Sequence, residues 1–156
     1  LSPSKTYNIA GMGYAYAVIR DERLRHRFAS RRGHTLAEIT CLGYYCAEAA
    51  YRHGEPWRRE LVSYLRSNRD LLTTFCREEL GKVTIPDMEA TYLAWLDFRP
   101  AGIPEPAQFL EKEAGLFLSD GRFFGGPGHA RLNFGCSRAL LEEAIESIRK
   151  ALGKRT

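Results

Sequence analysis

From about residue 82 to the end, the sequence predicts an α+β unit, a small antiparallel or mixed sheet with helices on one face. Three observations predict it. Runs rich in β-formers, "TYLAWLDF" (91–98) and "ARLNFGC" (130–136), alternate with runs of helical spacing. Proline and glycine punctuate the connections between them. A long amphipathic segment, residues 55–80, leads into the unit and predicts a connecting helix.

The elements follow in chain order. Residues 1–20 have turn chemistry, with Gly11 and Gly13 close together, and lack partners for a sheet of their own. So apolar a terminus belongs with something larger. Residues 20–34 are basic (Arg20, Arg23, Arg25, His26, Arg27, Arg31, Arg32, His34), with Asp21 and Glu22 interleaved. Such a cluster reads as a solvated helix face or as a phosphate-attracting patch. No DNA-binding signature accompanies it, which favours the solvated face and no nucleic-acid partner. Thr35 with Glu38 three residues on has a capping-box pattern and predicts a helix over 35–53, stopped by Gly54.

The apolar positions Trp57, Leu61, Tyr64, Leu65, Leu71, Leu72, Phe75 and Leu80 then recur at helical spacing up to Gly81. A helix of that length extends about 39 Å. "KVTIP" (82–86) is a short strand candidate, and residues 91–98 read as a buried strand that places Tyr92 and Trp95 in the core. Pro100, Pro104 and Pro106 mark a loop and a helix start; that helix runs through Glu113 to Gly115. "LFLS" (116–119) and residues 130–136 are further strand candidates. Ser137 caps a last helix with the stripe Leu140, Leu141, Ala144, Ile145, Ile148 and Leu152.

Composition bounds the function. With 44% hydrophobic and 27% charged residues the chain is ordinary globular material. No run of 18 apolar residues occurs, so no membrane helix is expected. Nothing at the start resembles a secretory signal. Cys41, Cys46, Cys76 and Cys136 form no C-x-x-C pair and read as reduced thiols of a cytoplasmic protein. His26, His34 and His53 are scattered, without metal-ligand spacing. The glycines of residues 125–128 lack the G-x-x-x-x-G-K pattern of a phosphate loop.

The opening "SPSKTYNIAGM" carries the most chemistry. A lysine in a turn is ordinarily just solvated. Lys5, however, stands among Ser2, Ser4 and Thr6, whose hydroxyls can donate to phosphate oxygens, with Asn8 nearby. Hydroxyls beside an imine-forming lysine suit pyridoxal phosphate, which needs one anchor for its aldehyde and one for its phosphate. Arg131 sits in an otherwise apolar strand. A buried, unpaired guanidinium there would be costly, so it needs a carboxylate, either from an internal Asp or Glu or from a ligand. Asn133 either orients Arg131 or caps local backbone, and His129 either approaches substrate or, as a lone loop histidine more often does, faces solvent.

"SPSKTYNIAGM" resembles the lysine segment of fold-type I pyridoxal-phosphate enzymes, in the cystathionine β-lyase-like (C–S lyase) branch of the class I/II aminotransferase superfamily. The segments "GYYCAEAAYRHGEPW", "YLRSNRDLL", "ATYLAWLDFR" and "GLFLSDGRFFGGPGHARLNFGCSRALLEEAIESI" resemble the matching family segments in the same order. The resemblance implies an α/β parent fold of which this is the C-terminal portion. Residues 1–34 would end the large cofactor-binding domain, 35–81 would be connecting helices, and 82–156 the small domain. Lys5 would form the imine with pyridoxal 5'-phosphate and shuttle the Cα proton. Ser2, with Ser4 as a second group, would contact the cofactor phosphate, and Arg131 would bind the substrate α-carboxylate.

Many aminotransferases of this superfamily carry an arginine eight residues after the lysine. Gly13 stands there, which tilts the implied activity from transaminase toward β-lyase on an amino acid. The resemblance also implies a cytoplasmic homodimer with no nucleic-acid or membrane partner. As a fragment, cut just ahead of Lys5, the chain is expected to be inactive alone. Two alternatives stay open: an aminotransferase, and a non-catalytic regulatory or interaction module.

Overall fold

The computed structural model describes residues 1–33 and 35–154. His34, counted above in the basic cluster and among the scattered histidines, lies outside the described residues. The chain forms two compact units, Leu1–Leu61 and Val62–Thr156.

In the first unit the opening turn and a short 3-10 turn, Ala10–Met12, precede helix α1, Glu22–Arg32. The Asp21 carboxylate accepts from the Leu24 N–H at 2.7 Å and caps α1. None of the helix is buried, so its basic residues form the solvated face that the interleaved charges predict.

Helix α2, Cys41–His53, starts six residues later than the capping-box pattern places it. The Thr40 hydroxyl, not Thr35, accepts from the Gly43 N–H at 3.1 Å. Glu38 does not fold back on Thr35; its carboxylate faces Arg32 at 3.3 Å. With the acid drawn away, the box loses its reciprocal bond, and a local serine/threonine cap closer to the apolar run takes over. Two glycines of this region are there for close approach. A Cβ on Gly43 would meet the Met12 carbonyl at 2.8 Å, and one on Gly54 would meet the Tyr7 ring at 2.7 Å. The opening segment thus lies directly on α2, with Tyr7 edge-on to Tyr51 and Tyr14 edge-on to Tyr44.

Helix α3, Glu55–Glu78, is the long helix expected. The Glu55 carboxylate accepts from both Arg58 and Arg59, which lower its pKa to about 2. The helix ends before Gly81, whose φ of 43° is the left-handed conformation that favours glycine.

The second unit is a three-stranded antiparallel sheet of order β1-β3-β2: Leu93–Asp97, His129–Asn133 and Ser119–Asp120. Helices α4, Pro106–Ala114, and α5, Arg138–Gly153, complete it. Alternation decides the two faces. Ala94, Leu96, Ala130 and Leu132 point into a core with Leu72, Phe75 and Cys76 of α3, Leu110 of α4, and Leu141 and Ile148 of α5. Each large side chain so buried contributes about 1.5–3 kcal/mol relative to exposure. The helices therefore cover one face, and the opposite face carries the partly buried set Leu93, Trp95, Asp97, His129 and Arg131.

Two strand expectations and one helix stripe need correction. "KVTIP" makes one bridge, Thr84 to Asp97, while Val83 and Ile85 drop into the core. "LFLS" pairs only at its end, because the Asp120 carboxylate accepts from the Arg122 N–H and turns the chain into the 3-10 turn Gly121–Phe124. Leu140 is 54% exposed, so the α5 stripe centres on Leu141, Ile148 and Ala151. Ser137 caps α5 as expected, accepting from the Leu140 N–H at 3.3 Å. No helix among the described residues is long and apolar enough to cross a membrane.

Candidate functional site

In the first unit, residues 2–9 form a tight double turn. The Tyr7 N–H donates to the Pro3 carbonyl at 2.9 Å, and the Ile9 N–H donates to the Ser4 carbonyl at 3.0 Å. Pro3 is buried and anchors the turn, while Asn8 takes φ 55°, a conformation asparagine tolerates. The Ser2 hydroxyl lies 2.7 Å from both the Ser4 hydroxyl and the Tyr14 carbonyl oxygen. The two hydroxyls are therefore adjacent and share an acceptor that a phosphate oxygen can replace. Lys5 is exposed and makes no hydrogen bond or ion pair to any described residue. The turn thus brings Ser2, Ser4 and Lys5 together and leaves the amine uncommitted.

In the second unit, Arg131 stands in the middle of the open sheet face. Its partners in register are Trp95 on β1 and Ser119 on β2. Nη2 donates to the Ser119 hydroxyl at 3.1 Å, and the guanidinium carbon lies 4.3 Å from the centre of the Phe124 ring. Among the described residues no carboxylate pairs with it. The internal-salt-bridge reading of Arg131 therefore finds no carboxylate among the described residues. Its fork keeps several donors for an incoming carboxylate.

The neighbours are fixed by their own bonds. Trp95 lies over the His129 ring (5.3 Å between centroids, 21°) and meets the edge of Phe124 (6.0 Å, 81°). A Cβ on Gly126 would come within 2.5 Å of the Trp95 ring, so the glycine-rich loop is shaped to wrap the indole and not to cradle phosphate. His129 Nδ1 sits 3.0 Å from the Pro127 carbonyl oxygen and Nε2 3.7 Å from the Asp97 carboxylate. Its side chain is only 12% exposed, which corrects the exposed-loop reading. Asn133 caps backbone, accepting from the Gly135 N–H at 2.9 Å.

Asp97 accepts from the Arg99 side chain at 2.9 and 2.8 Å and from the Arg99 N–H at 2.9 Å. Arg99 chiefly, and His129 after it, lower its pKa from the ordinary 3.8 to about 2. Asp120 is lowered in the same way by Arg122. A carboxyl lowered in the folded state stabilises above its unfolded pKa and loses that contribution as pH falls through the folded value. Stability of the second unit is therefore expected to be flat above about pH 4 for these groups and to fall between pH 4 and 2. Urea midpoints across that range check it: Asp97→Asn flattens part of the decline, and an unchanged slope counts against the assignment.

Trp95 is the main site residue that the sequence reading misplaced. Period-two alternation around Ala94 and Leu96 puts it on the open face, whereas a hydrophobic run read as wholly buried puts it in the core. Tyr92 does border the core. Phe124 and Ser119 were missed: strand register reveals Ser119, and the path of the following turn reveals Phe124.

Residues 2–148 match the family described as aminotransferase class I and II. The chain is 37% identical over 156 residues to the cystathionine β-lyase PatB of Bacillus subtilis, covering 97% of this chain and 40% of that protein. It is 38% identical over 152 residues to a cystathionine β-lyase of Corynebacterium glutamicum, covering 96% and 40% respectively. Among solved structures it superposes on OvoB with a TM-score of 0.92 at 42% identity, covering 97% of this chain and 39% of OvoB. On cystalysin from Treponema denticola, which contains a pyridoxal 5'-phosphate cofactor, the TM-score is 0.91 at 31% identity, with coverage of 99% and 41%. The chain spans 40% of the length of these two curated relatives and shares their fold class, α/β, with its own α+β unit at the C-terminal end. It belongs to the class I and II aminotransferase family.

Proposed function

We propose that this chain carries the lysine and the carboxylate-binding arginine of a pyridoxal-phosphate-dependent C–S β-lyase, similar to cystathionine β-lyases and acting on an amino acid. The observation that carries the proposal is Arg131, a half-buried guanidinium on an open sheet face with no carboxylate partner among the described residues. The donor set of the opening turn fits the cofactor: an uncommitted amine for an aldehyde, and two adjacent hydroxyls for a phosphate. Bound there, pyridoxal 5'-phosphate would act as the electron sink for a substrate carbanion.

In this reading Lys5 would hold the cofactor aldehyde and would take the proton from the substrate Cα. Ser2 and Ser4 turn their hydroxyls from Tyr14 to the phosphate. Arg131 grips the α-carboxylate with two parallel hydrogen bonds. Loss of a β-thiolate and hydrolysis give a thiol, pyruvate and ammonia. Residues 1–34 end the cofactor-binding domain, 35–81 connect, and 82–156 form the small domain. The protein is a cytoplasmic homodimer, and the 156-residue chain by itself has negligible activity. Gly13, where many transaminases carry arginine, favours lyase chemistry.

A chimera tests this: the chain replaces the segment it matches in the Bacillus subtilis relative and is given cystathionine with no keto acid. Pyruvate is expected, and Arg131→Lys raises KM about 10²-fold by losing two charge-assisted bonds. Dependence on a keto-acid acceptor indicates an aminotransferase. A folded, cofactor-loaded chimera without turnover indicates the non-catalytic reading.

A further inference from the structure

A guanidinium that must catch a carboxylate works best if it is already held in one orientation, because an arginine side chain otherwise gives up considerable rotamer freedom on binding. The open face supplies such a hold. The Phe124 ring lies against the Arg131 guanidinium, with its centroid 4.3 Å from the guanidinium carbon. Ser119, directly opposite in register, accepts from Nη2 at 3.1 Å and fixes rotation about the last bond. Phe124 is half-exposed and would swing freely alone, but the edge of its ring is set against Trp95. Trp95 is itself stacked on the His129 ring and packed against the backbone at Gly126. The order is continuous, from His129 through Trp95 and Phe124 to Arg131.

We infer that Phe124 is a positioning residue for Arg131: its ring fixes the plane of the guanidinium, Ser119 fixes its rotation, and the Trp95–His129 stack holds Phe124 in place. This rests on the reading of Arg131 as the carboxylate grip, and two separate readouts keep the two apart.

The first readout is NMR of the Arg131 Nε–Hε group in the 156-residue chain. The resonance is expected to be ordered and displaced by the ring current of Phe124. Phe124→Leu abolishes both effects, Phe124→Tyr restores both, and Ser119→Ala lowers the order while keeping the ring-current displacement. The second readout is the chimera described above. There Phe124→Leu is expected to raise KM about two- to fivefold with kcat unchanged, the fold-change of a cation–π contact at an exposed site, while Phe124→Tyr stays near the parent. An Arg131 resonance equally ordered in the parent and in Phe124→Leu overturns the positioning role, whatever the kinetics. If Arg131→Lys leaves KM unchanged, the carboxylate reading falls, and the NMR result alone still decides whether Phe124 holds the arginine. Unaltered backbone amide spectra of the second unit confirm that each variant is folded.

Discussion

Lys5→Ala in the chimera is expected to lower pyruvate formation about 10³-fold or more, the loss of a group that serves as both covalent anchor and proton shuttle. The parent chimera should carry a visible cofactor band, and borohydride treatment should leave a stable mass increment on the peptide holding Lys5. Both should vanish in Lys5→Ala. Lys5→Arg separates charge from chemistry: it keeps a cation beside the two serines and cannot form or release an imine, so it should be as inactive as alanine. Ser2→Ala should do something different. It removes one hydroxyl donor from the phosphate, so cofactor affinity falls about tenfold while the covalent attachment survives. Activity that persists in Lys5→Ala at the parent level would sink the proposed mechanism, since no other amine or imidazole stands in the opening turn.

That turn was legible because its chemistry is local. Ser2, Ser4 and Lys5 lie within four residues, and the turn closes through its own backbone bonds from Tyr7 and Ile9. The same locality made the Ser137 cap, the length of α3 and the Gly81 and Gly115 terminators readable. Failures came where a distant partner decides. The capping-box pattern at Thr35 was genuine in spacing, but Arg32 drew Glu38 away and Thr40 capped instead. "LFLS" has strand composition, yet its neighbour in space offers pairing only at Ser119 and Asp120. Arg131 could be singled out as a charge in an apolar strand. What holds it could not, because Ser119 and Phe124 reach it through register and loop path. The same limit hid Asn68, a polar residue inside a helical pattern with nothing in its local sequence to mark it.

Asn68→Asp is expected to be the most destabilising single-atom change in the second unit. Asn68 is fully buried on α3, and its Nδ2 donates to the Phe134 and Cys136 carbonyl oxygens, each at 3.1 Å. These carbonyls belong to the connection from β3 to α5. Tyr64, one turn earlier on α3, accepts from the Arg138 N–H at 2.6 Å, and the Arg138 guanidinium donates to the Ser67 hydroxyl. Residues 64, 67 and 68 lie at helical i, i+3 and i+4 spacing, so one face of α3 clasps the strand exit just beyond Arg131. The two acceptors fix which way the amide points, since reversing it would set oxygen against oxygen. Oδ1 is then left buried without a partner among the described residues.

A carboxylate in place of the amide has no hydrogen to offer, and its charge faces two carbonyl oxygens away from water. The expected cost at neutral pH is about 3–5 kcal/mol, the range for an uncompensated buried charge. That cost is pH-dependent with a definite sign. Burial penalises the charged form of the aspartyl group, so its folded pKa lies above its unfolded value, and the deficit shrinks as pH falls. Asn68→Leu gives the reference: it leaves the two carbonyls unpaired but also removes the orphaned oxygen, for a net loss of about 2 kcal/mol with no such pH dependence. Urea unfolding of the three proteins at neutral and mildly acidic pH measures both terms. A leucine variant as stable as the parent would mean that the clasp contributes nothing beyond the burial of its orphaned acceptor. An aspartate variant whose deficit does not narrow on acidification would mean that the amide is not held between those two carbonyls.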